Sequence, residues 1–212
     1  MFVQTLAGDS FVANCYLIVA ETTRRALVLD PGVQVERIQA AVEALDLTVA
    51  GIALTHAHID HCSGLDILRK ATGAPFAAWG IPDSQTSSTP RLIIPGLTFT
   101  PYQLPFAPDR VLRDGDTLSV DDIQLTVLHT PGHSADSLCL YGHGVVFSGD
   151  TLLRRTIGAA LPGLFPGHDH RQLIESIRHK LLPLPDDTIV YPGHGSPTTI
   201  GEERQLNPML HS

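Results

Sequence analysis

Residues 55–61 read Thr55-His56-Ala57-His58-Ile59-Asp60-His61, directly after the apolar run Val49-Ala50-Gly51-Ile52-Ala53-Leu54. Four metal-capable side chains within six positions are not easily aimed at one point by a continuous helix or strand. The natural solution is a strand end that turns back on itself into a helix. Imidazole suits zinc and iron, and a neighbouring carboxylate suits a hard or borderline dication. A histidine-rich surface patch would look the same in isolation, so the motif counts only with its context.

That context recurs three more times. Ile123-Gln124-Leu125-Thr126-Val127-Leu128 alternates and breaks into His129-Thr130-Pro131-Gly132-His133. Val145-Val146-Phe147 breaks into Ser148-Gly149-Asp150-Thr151, and Thr188-Ile189-Val190-Tyr191 breaks into Pro192-Gly193-His194-Gly195. A strand followed by Gly or Pro and one polar side chain is how a scaffold presents a ligand at a sheet edge. Taken alone, His133 or His194 reads as a capping or core histidine. Four strand ends delivering His and Asp together point to one constellation.

The rest of the pattern supplies the frame. Strands are expected at Phe2 to Leu6, Cys15 to Val19 and Ala26 to Leu29, the last ending in the turn Asp30-Pro31-Gly32. Val35, Ile38, Val42 and Leu45 recur at helical spacing and predict an amphipathic helix over about 34–46. A helix through Leu65 to Lys70 is stopped by Gly73 and Pro75, and a strand follows to Trp79. Residues about 80–108 carry Pro82, Pro90, Pro95, Pro101, Pro105 and Pro108 and read as a long loop, as a lid or a partner surface. From Asp109 strands return, and Leu173, Ile177 and Leu181 predict a last helix over about 170–182. Two similar halves of mixed strands and helices suggest two mixed β-sheets packed face to face with helices outside, an α+β arrangement in one domain over 1–212.

Composition narrows the function. A chain of 212 residues is long enough for a proper core, and its net charge of −8 argues against a nucleic-acid or membrane-surface binder. No apolar run approaches the roughly 18 residues of a membrane span. The N-terminus, Met1 to Thr5, lacks the pattern of a signal peptide, so a cytoplasmic location is expected. Cys15, Cys62 and Cys139 form no even disulfide framework, which fits a reducing compartment. The oligomeric state is not legible.

The motifs Thr55-His56-x-His58-x-Asp60-His61, Thr130-Pro131-Gly132-His133, Ser148-Gly149-Asp150-Thr151-Leu152 and Pro192-Gly193-His194-Gly195 resemble the metallo-β-lactamase superfamily. Within it, the chain is similar to short bacterial forms of the glyoxalase II-like (hydroxyacylglutathione hydrolase) branch. The resemblance runs from Asp30-Pro31-Gly32 to the tail Gly201-Glu202-Glu203-Arg204-x-x-Asn207-Pro208. It implies the four-layer αβ/βα sandwich of that superfamily and two divalent ions per chain: zinc first, with iron or manganese as alternatives. One ion would be held by His56, His58 and His133, the other by Asp60, His61 and His194, with Asp150 and a hydroxide between them. That hydroxide would attack an ester-like carbonyl of a small-molecule substrate. Asp60 and Asp150 would serve as catalytic proton carriers.

The same resemblance suggests Asp30 as the aspartate that orients a metal-binding histidine, with a helix cap as the alternative, and His129 as a second support. Arg154 and Arg155 are candidates for meeting a substrate carboxylate, with solvation as the alternative. His168, His170, His179 and His211 are expected at the surface. The expected activity is thioester hydrolysis of the hydroxyacylglutathione type. The rivals are a lactonase or other ester hydrolase, an iron persulfide dioxygenase and a non-catalytic metal-binding module. Full-length glyoxalase II enzymes add a C-terminal helical domain and a Lys and Tyr that grip glutathione, and neither is found here.

Overall fold

The computed structural model describes residues 1–8, 12–32, 35–80, 104, 106–160 and 167–211, and the backbone of 93–94 and 97–98. The chain runs β1 (Phe2–Leu6), β2 (Cys15–Ala20), β3 (Arg25–Leu29), α1 (Val35–Ala44), β4 (Thr48–Ala53), α2 (Ile59–Cys62), α3 (Leu65–Thr72) and β5 (Phe76–Trp79). A two-residue pair, β6 (Ile93–Ile94) and β7 (Leu97–Thr98), precedes β8 (Arg110–Leu112), β9 (Thr117–Val120), β10 (Ile123–His129), β11 (Leu138–Gly142) and β12 (Val145–Gly149). The short hairpin β13 (Leu152–Leu153) and β14 (Thr156–Ile157) leads to α4 (His170–Ser176), which continues as a π-helical turn over Ile177–Leu181. The chain closes with β15 (Ile189–Pro192), β16 (Thr198–Thr199) and α5 (Ile200–Leu206). Most of the 80–108 stretch, including the expectation of a lid, lies outside the described residues.

Two six-stranded mixed sheets form, ordered β1-β2-β3-β4-β5-β8 and β16-β15-β12-β11-β10-β9. Strand alternation explains how they stack. Cys15, Leu17 and Val19 of β2 face α1 and α3, while Tyr16, Ile18 and Ala20 face the second sheet. In β12, Val145 and Phe147 face the first sheet, and Val146 faces the cluster of Leu173, Ile177 and Leu181. Three apolar clusters therefore fill three interfaces between four layers: helices, sheet, sheet, helices. Both β2 and β12 are buried on both faces, so they read as continuous apolar runs rather than as alternating ones. Each fully buried Leu, Ile or Phe there contributes about 1.5–3 kcal/mol of transfer free energy.

The parallel relationships fix where the site must lie. β3, β4, β5 and β8 run parallel, so Asp30, the 55–61 motif and Trp79 leave the first sheet at the same end. In the second sheet β10 and β12 are each antiparallel to β11, and β12 is parallel to β15. Their carboxyl ends carry His133, Asp150 and His194 to one end as well. At this end Tyr16 meets Phe147 and Tyr191 with ring centroids 5.4 Å from each. Edge-to-face pairs of this kind add about 0.5–1.5 kcal/mol beyond burial. All three cysteines are buried free thiols.

Candidate metal centre

The heptapeptide folds as its ligand density requires. The backbone leaves β4, bends at Thr55 and is extended at His58 (φ −71°, ψ 148°), and the single turn α2 begins at Ile59. His61 N and Cys62 N both donate to His58 O, at 3.0 and 3.2 Å. This bend turns His56 and His58 to one side of the site and Asp60 and His61 to the other.

Three imidazoles converge first. His133 Nε2 lies 3.2 Å from His56 Nε2 and 2.9 Å from His58 Nδ1. Nitrogens at about 2.0–2.1 Å from a tetrahedral ion sit about 3.3 Å apart, so these separations approach the edges of a ligand polyhedron. On the other side, His194 Nε2 is 3.0 Å and His61 Nε2 3.7 Å from Asp60 Oδ2. Asp150 stands between the groups: Oδ2 is 3.6 Å from both His133 Nε2 and His194 Nε2, and Oδ1 is 3.6 Å from His61 Nε2. The structure thus brings seven His and Asp side chains into three overlapping groups, each with its ligand atoms within 4.8 Å of one another. His61 Nε2 and Asp150 Oδ1 are buried with no hydrogen-bond partner among the described residues. Two buried polar atoms turned toward one another without partners cost several kcal/mol unless a cation satisfies them, so the residues fit divalent ions.

The opposite ring nitrogens are tied down. Asp30 accepts from Thr55 N (2.7 Å), from Thr55 Oγ1 (2.7 Å) and from His61 Nδ1 (2.9 Å). Thr55 Oγ1 also faces His56 Nδ1 at 3.1 Å, and His133 Nδ1 donates to Ala159 O at 2.7 Å. These bonds leave Nε2 of three histidines facing the centre. Asp30 is engaged with Thr55 and His61. Asn14 donates through Nδ2 to Pro192 O (3.0 Å) and Gly195 O (2.9 Å), and Tyr16 Oη donates to Pro192 O (2.6 Å). These two residues hold the His194 turn, and no motif announces them. Gly193 must be glycine: a Cβ there would lie 2.2 Å from Asp150 Oδ1 and 2.8 Å from His61 Cε1.

Two sequence expectations need correction, those for Arg155 and His168. Arg155 is engaged within the protein: its N–H and guanidinium bind Glu203, at 2.8 and 3.5 Å, and the guanidinium also donates to Glu202 O at 3.0 Å. Arg154 is exposed at the tip of the β13–β14 hairpin. His129 stays outside the ligand groups: its ring stacks on Trp79 (centroids 3.7 Å, 9° between planes), and its Nε2 lies 3.0 Å from Ala135 O. His168, expected at the surface, is buried with its ring 5.3 Å from His133 and 5.8 Å from His58. The reason is the docking of α4 onto the Pro131–His133 turn. Asp169 N donates to Gly132 O (2.8 Å) and Ser176 Oγ to Pro131 O (2.7 Å). Asp169 also caps α4 by accepting from Gln172 N, which is a readable Asp-x-x-Gln signal.

The electrostatics divide the cluster into imidazoles held neutral and imidazoles that carboxylates hold toward the protonated form. Burial pushes His56 well below the ordinary imidazole value, helped by His61, His58 and His133, and takes His58 down to about 3. Burial likewise lowers His133 and brings His168 to about 4. Burial opposes protonation of His61, but Asp30 and Asp150 outweigh it and raise its pKa. The hydrogen bond to Asp60 raises His194. Burial also works against ionised Asp150 and Asp60, yet the histidines around them hold both below the usual carboxylate value.

The signs give an expected pH dependence for chelator-treated protein. A histidine lowered in the fold takes up its proton on unfolding below about pH 6.5, so its contribution is lost as pH falls toward its folded value. His56, His58, His133 and His168 act this way, and Asp60 and Asp150 add loss at still lower pH. His61 and His194 act oppositely, stabilising below about 6.5 and losing this as pH rises through their folded values. The larger group wins, so the urea midpoint is expected to be lower at pH 4.5 than at pH 7.5. An equal or higher midpoint at pH 4.5 would contradict these assignments.

The sequence pattern of the metallo-β-lactamase superfamily matches residues 8–194. Hydroxyacylglutathione hydrolase GloC of Haemophilus influenzae is 35% identical, over 100% of this chain and 99% of its own. The B3 metallo-β-lactamase BLEG-1 superposes with a TM-score of 0.85 at 32% identity, covering the whole of both chains. TTHA1623, solved in a di-iron-bound form, superposes with a TM-score of 0.75 at 32% identity, over 99% of this chain and 100% of that one. Its fold, its clustered metal-binding side chains and these relatives together place the chain in the metallo-β-lactamase superfamily.

Proposed function

We propose that the chain is a hydrolase that uses two divalent ions, most readily zinc, to cleave a thioester of the hydroxyacylglutathione type. The observation that carries the reading is Asp150, whose two oxygens each lie 3.6 Å from histidines of different groups. His56, His58 and His133 would hold one ion, Asp60, His61 and His194 the other, and Asp150 would touch both. When bound, the ions supply Lewis acidity that lowers the pKa of water and offsets charge on a carbonyl oxygen and leaving group. The neutral imidazoles hold positive charge in place without cancelling it. Asp60, whose side chain is 25% exposed against 11% for Asp150, is the carboxylate that can pass a proton to solvent. Asp30 and Thr55 keep His61 and His56 in the tautomers that point Nε2 inward. The GloC relative, matched over its whole length, supports the thioester, and the small-molecule substrate follows from it. We place the reaction in the cytoplasm. Among the described residues no helix is long and apolar enough to cross a membrane.

The test is a substrate panel on purified, metal-loaded protein: S-D-lactoylglutathione, an acyl-homoserine lactone, a β-lactam and glutathione persulfide with oxygen uptake. The thioester is expected to turn over with kcat/KM at least about tenfold above any other. Oxygen consumption with the persulfide alone, or β-lactam cleavage alone, would sink the reading.

A further inference from the structure

Glu203 is a fully buried carboxylate outside the metal cluster. Four donors converge on it. Thr198 Oγ1, which shares its one proton between Glu202 Oε2 at 2.8 Å and Glu203, reaches Oε1 at 2.7 Å, and Asn207 Nδ2 reaches Oε2 at 2.8 Å. Arg155 N reaches Oε2 at 2.8 Å, and its guanidinium lies 3.5 Å from Oε1. Asn207, also buried, donates its other bond to Thr156 O at 2.9 Å. Arg155 and Thr156 form the turn and the returning strand of the β13–β14 hairpin, and Arg155 is held at φ 61°. A left-handed arginine costs free energy, and here its N–H is aimed at a buried carboxylate that compensates.

The hairpin starts two residues after Asp150, and its exit lies against the cluster. Gly158 packs so closely on Asp150 that a Cβ would sit 1.8 Å from Asp150 O. The next residue, Ala159, offers the carbonyl that accepts from His133 Nδ1 at 2.7 Å. Hydrogen bonds from α5 hold the hairpin, and the hairpin's exit reaches two of the seven cluster residues, His133 by a hydrogen bond and Asp150 by close backbone packing.

We propose that Glu203 is a positioning residue for the metal centre, clamping the β13–β14 hairpin so that Ala159 and Gly158 fix how His133 and Asp150 face the ions. The proposal rests on the two-ion reading above. It gives the tail Gly201-Glu202-Glu203-Arg204-x-x-Asn207 a duty at the site, although α5 contributes no ligand. Glutamine at 203 keeps one acceptor oxygen but turns an amide NH2 toward two of the four donors. The hairpin must then shift, and the His133–Ala159 bond with it.

Cobalt(II) titration of the full chain tests this. Wild type is expected to bind two ions with a defined visible d–d spectrum. Glu203→Gln is expected to bind cobalt about tenfold or more weakly, the scale of lost support behind a ligating histidine. Its d–d bands should change, and kcat should fall with KM within about twofold. A purely structural role would lower the melting temperature of ion-free protein and leave spectrum and affinity at wild-type values, and that result overturns the proposal. If Glu203→Gln does not fold, Asn207→Ser keeps the Glu203 carboxylate but removes one of its four donors and frees Thr156 O. The same spectral change is expected there, and an unaltered spectrum overturns the proposal equally. Wild type binding a single cobalt would instead contradict the two-ion reading, which separates the two failures.

Discussion

Asp150→Ala is expected to leave at most one ion per chain and to lower kcat about a thousandfold, a loss of about 4 kcal/mol of transition-state stabilisation. Among the described residues no other side chain has an oxygen 3.6 Å from histidines of both the His56–His58–His133 group and the Asp60–His61–His194 group. Removing it deletes negative charge from a buried position that faces His61, His133 and His194. The ions would then repel one another without the carboxylate between them. Asp150→Asn keeps the shape and loses the charge, so it should fall between wild type and alanine in ion content. Elemental analysis after dialysis, paired with steady-state kinetics, checks both. Full ion content together with retained activity in the alanine variant would refute the shared role.

Asp30→Ala carries the second large effect, on stability as well as on ion binding. Asp30 is 1% exposed and accepts three bonds. Alanine leaves Thr55 N, Thr55 Oγ1 and His61 Nδ1 buried without an acceptor. Each lost partner costs about 1–3 kcal/mol before relaxation, so a net loss of about 3–5 kcal/mol is expected in ion-free protein. The same change releases the rings of His61 and, through Thr55, His56, which should weaken ion binding about 10–100-fold. Urea denaturation without metal and zinc competition with a chelator read the two effects separately. A variant with wild-type stability would show that Asp30 does not organise the motif.

How much of this was legible follows from residue type and spacing. Positions 55–61, 133, 150 and 194 stand out because each follows an apolar run that the sheet pattern makes a strand. The structure brings all seven to one end because β4, β10, β12 and β15 all point their carboxyl ends there. Asp30 was half legible: its place before Pro31-Gly32 marks a turn, but only the three-dimensional pairing of β3 with β4 shows that it reaches Thr55 and His61. His168 was misread because nothing local shows that α4 docks on the Pro131–His133 turn. Arg155 was misread for the same kind of reason, since its partner Glu203 lies 48 positions away. Asn14 and Tyr16 carry no motif, because what they hold is backbone carbonyl of the His194 turn. Long-range polar pairs of this type leave no periodic trace.

The proposed centre holds two ions, with Asp150 joining both halves. Titrating ion-free wild-type protein with zinc while following thioester hydrolysis tests it most directly. Activity is predicted to rise until two equivalents are bound, with two ions per chain in the saturated protein. Full activity at one equivalent, with no second ion retained, would contradict a two-ion centre.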